Sequence, residues 1–279
     1  MAEIDPECNA IARLFSQRSV RSQSPVMIRS KNPIFKKSGT SFDLKSIREY
    51  QLFDDLRKID WRLYGRTERF FIKEFYQEEN ERIFLLIDSS ASVKVFDLSY
   101  YTTFIASLAY LFLKLRFSVS LISFTNRLEK MTLNLKESKN ISYVLQFLDE
   151  LHFRGSTGIV PVLKTVKTKY QPGTVFLFSD LFDPEVKPVK TFKNFFMIHF
   201  FKPISDITGD FGDVEIEDEE TGKRILLPFN ALTRDILVSR EKEFLKRFPE
   251  DQKNYHYFLV QEDFPRIPFY WKILEILHD

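Results

Sequence analysis

The chain has 279 residues, 44% of them hydrophobic, which is enough to bury a sizeable core and excludes a wholly disordered protein. Its single cysteine, Cys8, excludes an intrachain disulfide and a cysteine-based metal cluster. The net charge is only +2 but unevenly spread: nine Lys or Arg face one acid between Arg13 and Arg48, and Asp206 to Glu220 holds eight acids and no base.

Thirty Phe and eleven Tyr at helical and strand spacings read as core packing. The basic stretch lacks aromatic interleaving and any groove-binding motif, so it reads as a solvated arm, and no specific nucleic-acid partner is expected. The longest apolar run, Phe104 to Leu113, is shorter than the roughly 20 residues a bilayer span needs. The acidic start, M-A-E-I-D-P-E-C, is followed by no apolar signal core, so a cytoplasmic protein with no transmembrane segment is expected.

In chain order, Ile4 to Gln17 has helical spacing, and Ser19 to Ser41 reads as an irregular arm, so residues 1–40 are expected to form a basic helix and arm. Phe42 to Gln77 mixes charge and aromatics, with a strand over Arg69 to Tyr76 that leads toward the central one. Ile83 to Ile87 is an unbroken apolar run bounded by charge, the pattern of a strand covered on both faces of a parallel sheet. Then follow a buried helix, Asp97 to Arg116, with Asp97 or Ser99 as cap, and a strand, Ser118 to Phe124, beside an edge strand near Leu128 to Leu133.

Helices are predicted for Ser138 to Leu151, Val160 to Tyr170, Glu185 to Phe192, Thr233 to Phe248 (amphipathic) and Pro268 to Leu277. Strands are predicted for Thr174 to Phe178, Phe195 to Phe201 and Tyr255 to Val260, and a hairpin turns at D-E-E-T-G-K between Asp206 and Leu227. Alternating strands and helices imply a three-layer α/β fold, a mostly parallel central sheet with helices on both faces.

The central apolar run stops on oxygen. Asp88, Ser90 and Ser92 alternate just beyond it, at the carboxyl edge where open α/β sheets bind ligands. Two more loops reach the same edge: Gly155 to Gly158, offering Ser156 and Thr157, and the end of the strand at Phe178, delivering Ser179, Asp180 and Asp183. Asp88, Ser90, Ser92, Thr157 and Asp180 thus offer two carboxylates and three hydroxyls, hard donors that suit Mg²⁺ or Mn²⁺ better than zinc or copper. The alternative uses are ordinary ones. Ser90 and Ser92 can cap the following helix, the Ser-Thr-Gly loop can be a helix entrance, and Asp183 before Pro184 reads as a cap.

D-S-S-A-S at Asp88 to Ser92 resembles the D-x-S-x-S of von Willebrand factor A-like domains, whose metal-ion-dependent adhesion site adds a threonine and an aspartate from later loops, the places of Thr157 and Asp180. The segment before it, with R-E-Y, D-D-L-R, I-D-W and G-R, looks like the signature of the bacterial family named domain of unknown function 58 (DUF58), and D-E-E-T-G-K resembles a D-x-E-T-G element of that family. The resemblance covers about Gly39 to the C-terminus. Within it, 41–81 is the signature segment and 82–279 the A-type core, together one domain. Departures from the pattern are Phe53 for a glycine, Val93 for a methionine and S-D-L for T-D-G.

Arg48, Tyr50, Asp54, Asp55, Arg57, Asp60, Trp61 and Arg66 of the signature read as a structural polar network, since charges at that density need partners when buried. The resemblance implies a metal-dependent protein-interaction module in which a partner's carboxylate completes the metal shell. It also implies a MoxR-type AAA+ ATPase as the partner, in protein remodelling or maturation. The chain has no G-x-x-x-x-G-K-[ST] of its own. The alternatives are a phosphate-ester hydrolase using Asp88, against which stands Ser90 where a second Asp would do acid–base work, and a metal-free scaffold; no catalytic residue is assigned.

Overall fold

The computed structural model describes residues 3–21, 44–52, 54, 56, 59–75, 81–170, 173–181, 183, 186, 192–204, 212–218, 220–248 and 252–278. These fall into two compact units, one of residues 3–21 with 81–278, the other of residues 44–75. The predicted helix at Glu185 to Phe192 and most of the basic arm lie outside the described residues.

The larger unit is built on a six-stranded sheet. Five strands run parallel: β3 (Arg82–Asp88), β4 (Ser118–Phe124), β6 (Thr174–Ser179), β7 (Asn194–Phe200) and β10 (Tyr255–Val260). An antiparallel edge strand, β5 (Leu128–Leu135), completes the order β10-β7-β6-β3-β4-β5. This is the mostly parallel α/β architecture expected from the alternation of strands and helices.

The unbroken apolar runs follow from burial on both faces. Phe84 and Leu86 of β3 point to one face, where Val175, Leu177, Phe195 and Met197 join Ile159, Val162 and Val166 of α5 (Ile159–Tyr170) in one cluster. The alternate residues point the other way. There Phe176 stacks on Phe196 at 4.2 Å and meets Phe112 of α3 (Leu98–Lys114) at 5.1 Å. Phe104 of α3 packs on Phe200 and on Phe269 of α7 (Arg266–His278). Helix α4 (Ile141–Asp149) lies beside α3.

The N-terminal helix α1 (Glu7–Arg21) docks on α3 and α7. Asp5 N donates to Ser107 Oγ at 2.7 Å, Phe15 meets Trp271, and Cys8 is fully buried, which pushes its thiol up to about 12 and leaves it unreactive at neutral pH.

The connection leaving β3 runs to β4 on one side, while that leaving β6 runs to β7 on the other. Adjacent parallel strands whose connections diverge open a crevice between their carboxyl ends, the usual ligand site of such sheets. The sequence puts Asp88 at one lip and Asp180 at the other.

Between β7 and β10 the chain forms a separate antiparallel hairpin, β8 (Gly212–Glu217) and β9 (Arg224–Phe229), then α6 (Ala231–Leu245), capped by Asn230. The amphipathic helix expected here buries none of its residues fully; Leu232 and Ile236 are exposed. The smaller unit pairs β1 (Leu44–Glu49), unanticipated in the charge-rich sequence, with β2 (Phe71–Phe75) in its own two-stranded sheet around the short α2 (Trp61–Thr67). The strand at Arg69 to Tyr76 is therefore an element of that small sheet and not of the central one. Among the described residues no helix is long and apolar enough to cross a membrane.

His199 of β7 is buried among Phe201, Phe244 and Phe248, with Nδ1 2.6 Å from the Tyr257 hydroxyl. Burial pushes it down from 6.5 to about 3. Between those values only the unfolded chain takes up the proton, so this contribution to stability is present above pH 6.5 and lost as pH falls toward 3. Urea denaturation of wild type and His199→Gln across this range should show a shallower loss in the variant, the difference reaching at most about 1.4 kcal/mol per pH unit.

Candidate metal centre

Asp88 ends β3 with no solvent exposure. Its Oδ1 accepts from Ser90 N at 2.9 Å, and its Oδ2 accepts from Thr157 Oγ1 at 2.9 Å and Ser179 Oγ at 2.6 Å. All these donors are neutral. Burial raises the carboxyl's pKa, against the pull of the hydrogen bonds from Ser179, Ser90 and Thr157.

Ser90 precedes a short 3-10 turn (Ala91–Val95), yet its side chain makes no capping hydrogen bond; its Oγ lies 3.1 Å from Ser92 Oγ. Asp97 caps α3 instead, accepting from Ser99 N and Tyr100 N. The two hydroxyls are thus spared from capping and turned toward each other.

Thr157 is delivered by a loop tied to the β3 loop through backbone bonds, Arg154 N to Ser89 O and Ala91 N to Gly155 O, both 2.9 Å. Gly158 lets the same loop close on the β4–β5 connection, its N donating to Thr125 O at 3.1 Å, because a Cβ there would stand 2.9 Å from Asn126 Cα. Asp180, 1% exposed, follows β6 directly. Asp183 accepts from Ile159 N at 2.9 Å, so it caps the start of α5, a helix from an earlier part of the chain; Pro184, beside which a cap is expected, lies outside the described residues.

Asp88 and Asp180 lie at the carboxyl ends of β3 and β6, with Ser90, Ser92 and Thr157 on the loops beside Asp88. Three contributors were not assigned from the sequence. Ser179 donates to Asp88 and accepts from Leu181 N, fixing the turn that presents Asp180. The hydroxyl of fully buried Tyr101 lies 3.0 Å from Asp88 O and 3.1 Å from Phe178 O, clamping the ends of β3 and β6. Glu220, in the β8–β9 turn, accepts from Thr157 N at 3.1 Å. Burial raises its carboxyl's pKa, aided by the charge of Asp88, against the pull of Thr157 N and the nearby Ser92 hydroxyl. Ser179 borders Asp180 and Glu220 lies in the D-x-E-T-G element, so those two had a sequence signal; Tyr101, inside a helix of apolar residues, had none.

The set fits a hard divalent cation. A hydroxyl donating to Asp88 keeps acceptor lone pairs, and a buried carboxylate held by neutral groups lacks the positive charge that would stabilise it. Among the described residues no three His, Cys, Asp or Glu side chains are grouped to hold a metal. When bound, Mg²⁺ or Mn²⁺ would supply that charge and an affinity for one further carboxylate.

The signature residues sit in the smaller unit. Arg48 forms a bidentate pair with Asp54, at 2.7 and 2.6 Å, and Asp54 also accepts from Gln51 N. Asp60 caps α2, accepting from Arg62 N and Leu63 N, while Tyr50 and Tyr64 pack against Phe70. Trp61 and Arg66 are exposed on α2. Asp55 and Arg57 lie outside the described residues.

Fold and site together define an α/β module, a mostly parallel six-stranded sheet with helices on both faces and a cluster of hydroxyl and carboxylate oxygens at its carboxyl edge. The chain belongs to the family described as "Protein of unknown function DUF58", whose model matches residues 46–243. Among solved structures it is similar to the conserved hypothetical protein BatB from Bacteroides thetaiotaomicron, with 14% identity over 72% of this chain and 100% of that one, at a TM-score of 0.44. It is also similar to an aerotolerance-related membrane protein from Bacteroides fragilis (13%, covering 71% and 98%, TM-score 0.38). A third is a von Willebrand factor type A protein from Catenulispora acidiphila (11%, covering 47% and 35%, TM-score 0.32). A search of curated proteins gave no match.

Removing the clamp with Tyr101→Phe leaves two carbonyls at the strand ends without that donor. Urea denaturation should show a loss of about 1–3 kcal/mol with native secondary structure retained.

Proposed function

We propose that this chain is a metal-dependent protein-interaction module. Asp88, Ser90, Ser92, Thr157 and Asp180 hold Mg²⁺ or Mn²⁺, and a carboxylate from a partner protein completes the shell, so that metal and partner bind cooperatively. The observation that carries the reading is Asp88 itself, a fully buried carboxylate whose hydrogen-bond donors are all neutral and mostly hydroxyl. A charge so placed needs a counter-charge, and hydroxyl oxygens are donors that a hard cation accepts.

The partner class is a MoxR-type AAA+ ATPase, on the strength of the family resemblance, with this chain as its accessory or adaptor in protein remodelling or maturation. ATP hydrolysis then belongs to the partner, which places the module in the cytoplasm. The chain itself is read as non-catalytic, because Ser90 occupies the position where a hydrolase would carry a second acid for proton transfer.

Isothermal titration of MgCl₂ or MnCl₂ into wild type should show binding that Asp88→Ala abolishes; no binding to wild type sinks the reading. A pull-down with the ATPase should retain it in Mg²⁺ and lose it in EDTA. Turnover of a generic phosphate ester, abolished by Asp88→Asn, would replace the module with a hydrolase.

A further inference from the structure

The five oxygen residues of the centre come from three loops at the sheet edge, and a fourth segment of the same chain reaches them. Glu220 touches the centre at Thr157, whose backbone N donates to its Oε1 at 3.1 Å, and its charge is near enough to that of Asp88 for the two to repel. Thr157 Oγ1 in turn donates to Asp88, and Ser92 Oγ meets Ser90 Oγ at 3.1 Å. Glu220 is therefore linked to Asp88 through Thr157, a member of the proposed ligand set.

The turn is built to present it. Asp218 Oδ1 accepts from Glu220 N at 2.9 Å and Thr221 N at 3.0 Å, and Gly222, at φ 66°, takes the left-handed conformation that closes the turn on Asp218 O.

The hairpin bearing this turn is a poor contributor to the core. Most residues of β8 and β9 are exposed, including Ile225 at 64% and Leu226 at 68%, and only Phe229 is buried, whereas Glu220 at the tip is half-buried. Packing of the hairpin does not account for a carboxylate pressed against another carboxylate's hydrogen-bonding shell. Like charges so placed repel, and a cation between them reverses the sign of that interaction.

We infer that Glu220 is an internal occupant of the place that a partner's carboxylate takes at this centre, making the β8–β9 hairpin a plug that an acidic segment of the partner must displace. This rests on the metal-dependent reading above and adds its regulation. A ligand that competes with a tethered carboxylate binds more weakly by the fraction of time the site is open, so removing the tether tightens it.

The test uses the full chain, MnCl₂, and an N-acetylated, amidated peptide with a single Glu among Gly and Ser, its Gln version serving as control. Metal binding is measured first for wild type, Glu220→Gln, Glu220→Ala and Asp88→Ala, and peptide affinity then at saturating metal. Gln keeps an oxygen for Thr157 N but removes the charge, separating a structural bond from a ligand-like one. Both Glu220 variants should bind the Glu peptide more tightly than wild type, by roughly 5- to 150-fold, with no gain for the Gln peptide.

Unchanged peptide affinity in both variants, with metal still bound in wild type and lost in Asp88→Ala, overturns the plug and leaves the metal centre standing. So does a gain in Glu220→Ala alone, which would mark Glu220 as a brace for the Thr157 loop. Absence of metal binding in wild type removes the underlying reading and this one together.

Discussion

A carboxylate with no exposure to solvent lies at the end of the central strand, and the arrangement around it follows from the difficulty of keeping it there. Transferring an isolated ionised carboxylate into a low-dielectric interior costs tens of kcal/mol. A hydrogen bond to a charged group contributes about 1.5–3 kcal/mol. The bonds to Asp88 from Ser90, Thr157 and Ser179 therefore soften the cost without cancelling it, which is why its pKa is raised. In the function proposed above, a divalent cation supplies the stabilisation that these bonds leave wanting.

That placement depends on packing well below the site. Strands buried on both faces are held by α5 on one side and by the Phe112, Phe176 and Phe196 stack on the other, so the carboxyl ends of β3 and β6 are fixed relative to each other. Tyr101 adds the last constraint, its ring on Phe200 at 4.7 Å and its hydroxyl between the two strand ends. The site is thus set on rigid elements, with its hydroxyls on short loops tied to them by backbone bonds. The hairpin differs: most of it is exposed, with Phe229 its one buried residue among the strands, and it reaches the site at its tip, the kind of element that moves at low cost.

Much of this was legible in the sequence because the signals are local. The runs Ile83 to Ile87 and Thr174 to Phe178 are apolar without alternation, and only strands covered on both faces need that. The order of strands and helices gave the fold class, and an oxygen-rich end on each of two such strands gave Asp88 and Asp180. Asp183 shows where local reading stops: it caps a helix that begins at Ile159, from which the linear sequence separates it. The small β1–β2 sheet was half seen, since β1, L-K-S-I-R-E, carries charge at a density that masks its period.

By itself the sequence determined the donor chemistry, the strands that carry it and the family, because each is encoded in contiguous residues. Only the tertiary structure decided how those donors are used. It showed that Ser90 is spared from capping, that Ser179 rather than a charged group supports Asp88, that Tyr101 clamps two strands, and that Glu220 returns to the centre from a later hairpin. Each of these depends on residues far apart in the chain meeting at one sheet edge, and hydrogen bonds between such residues leave no periodicity in the sequence from which to read them.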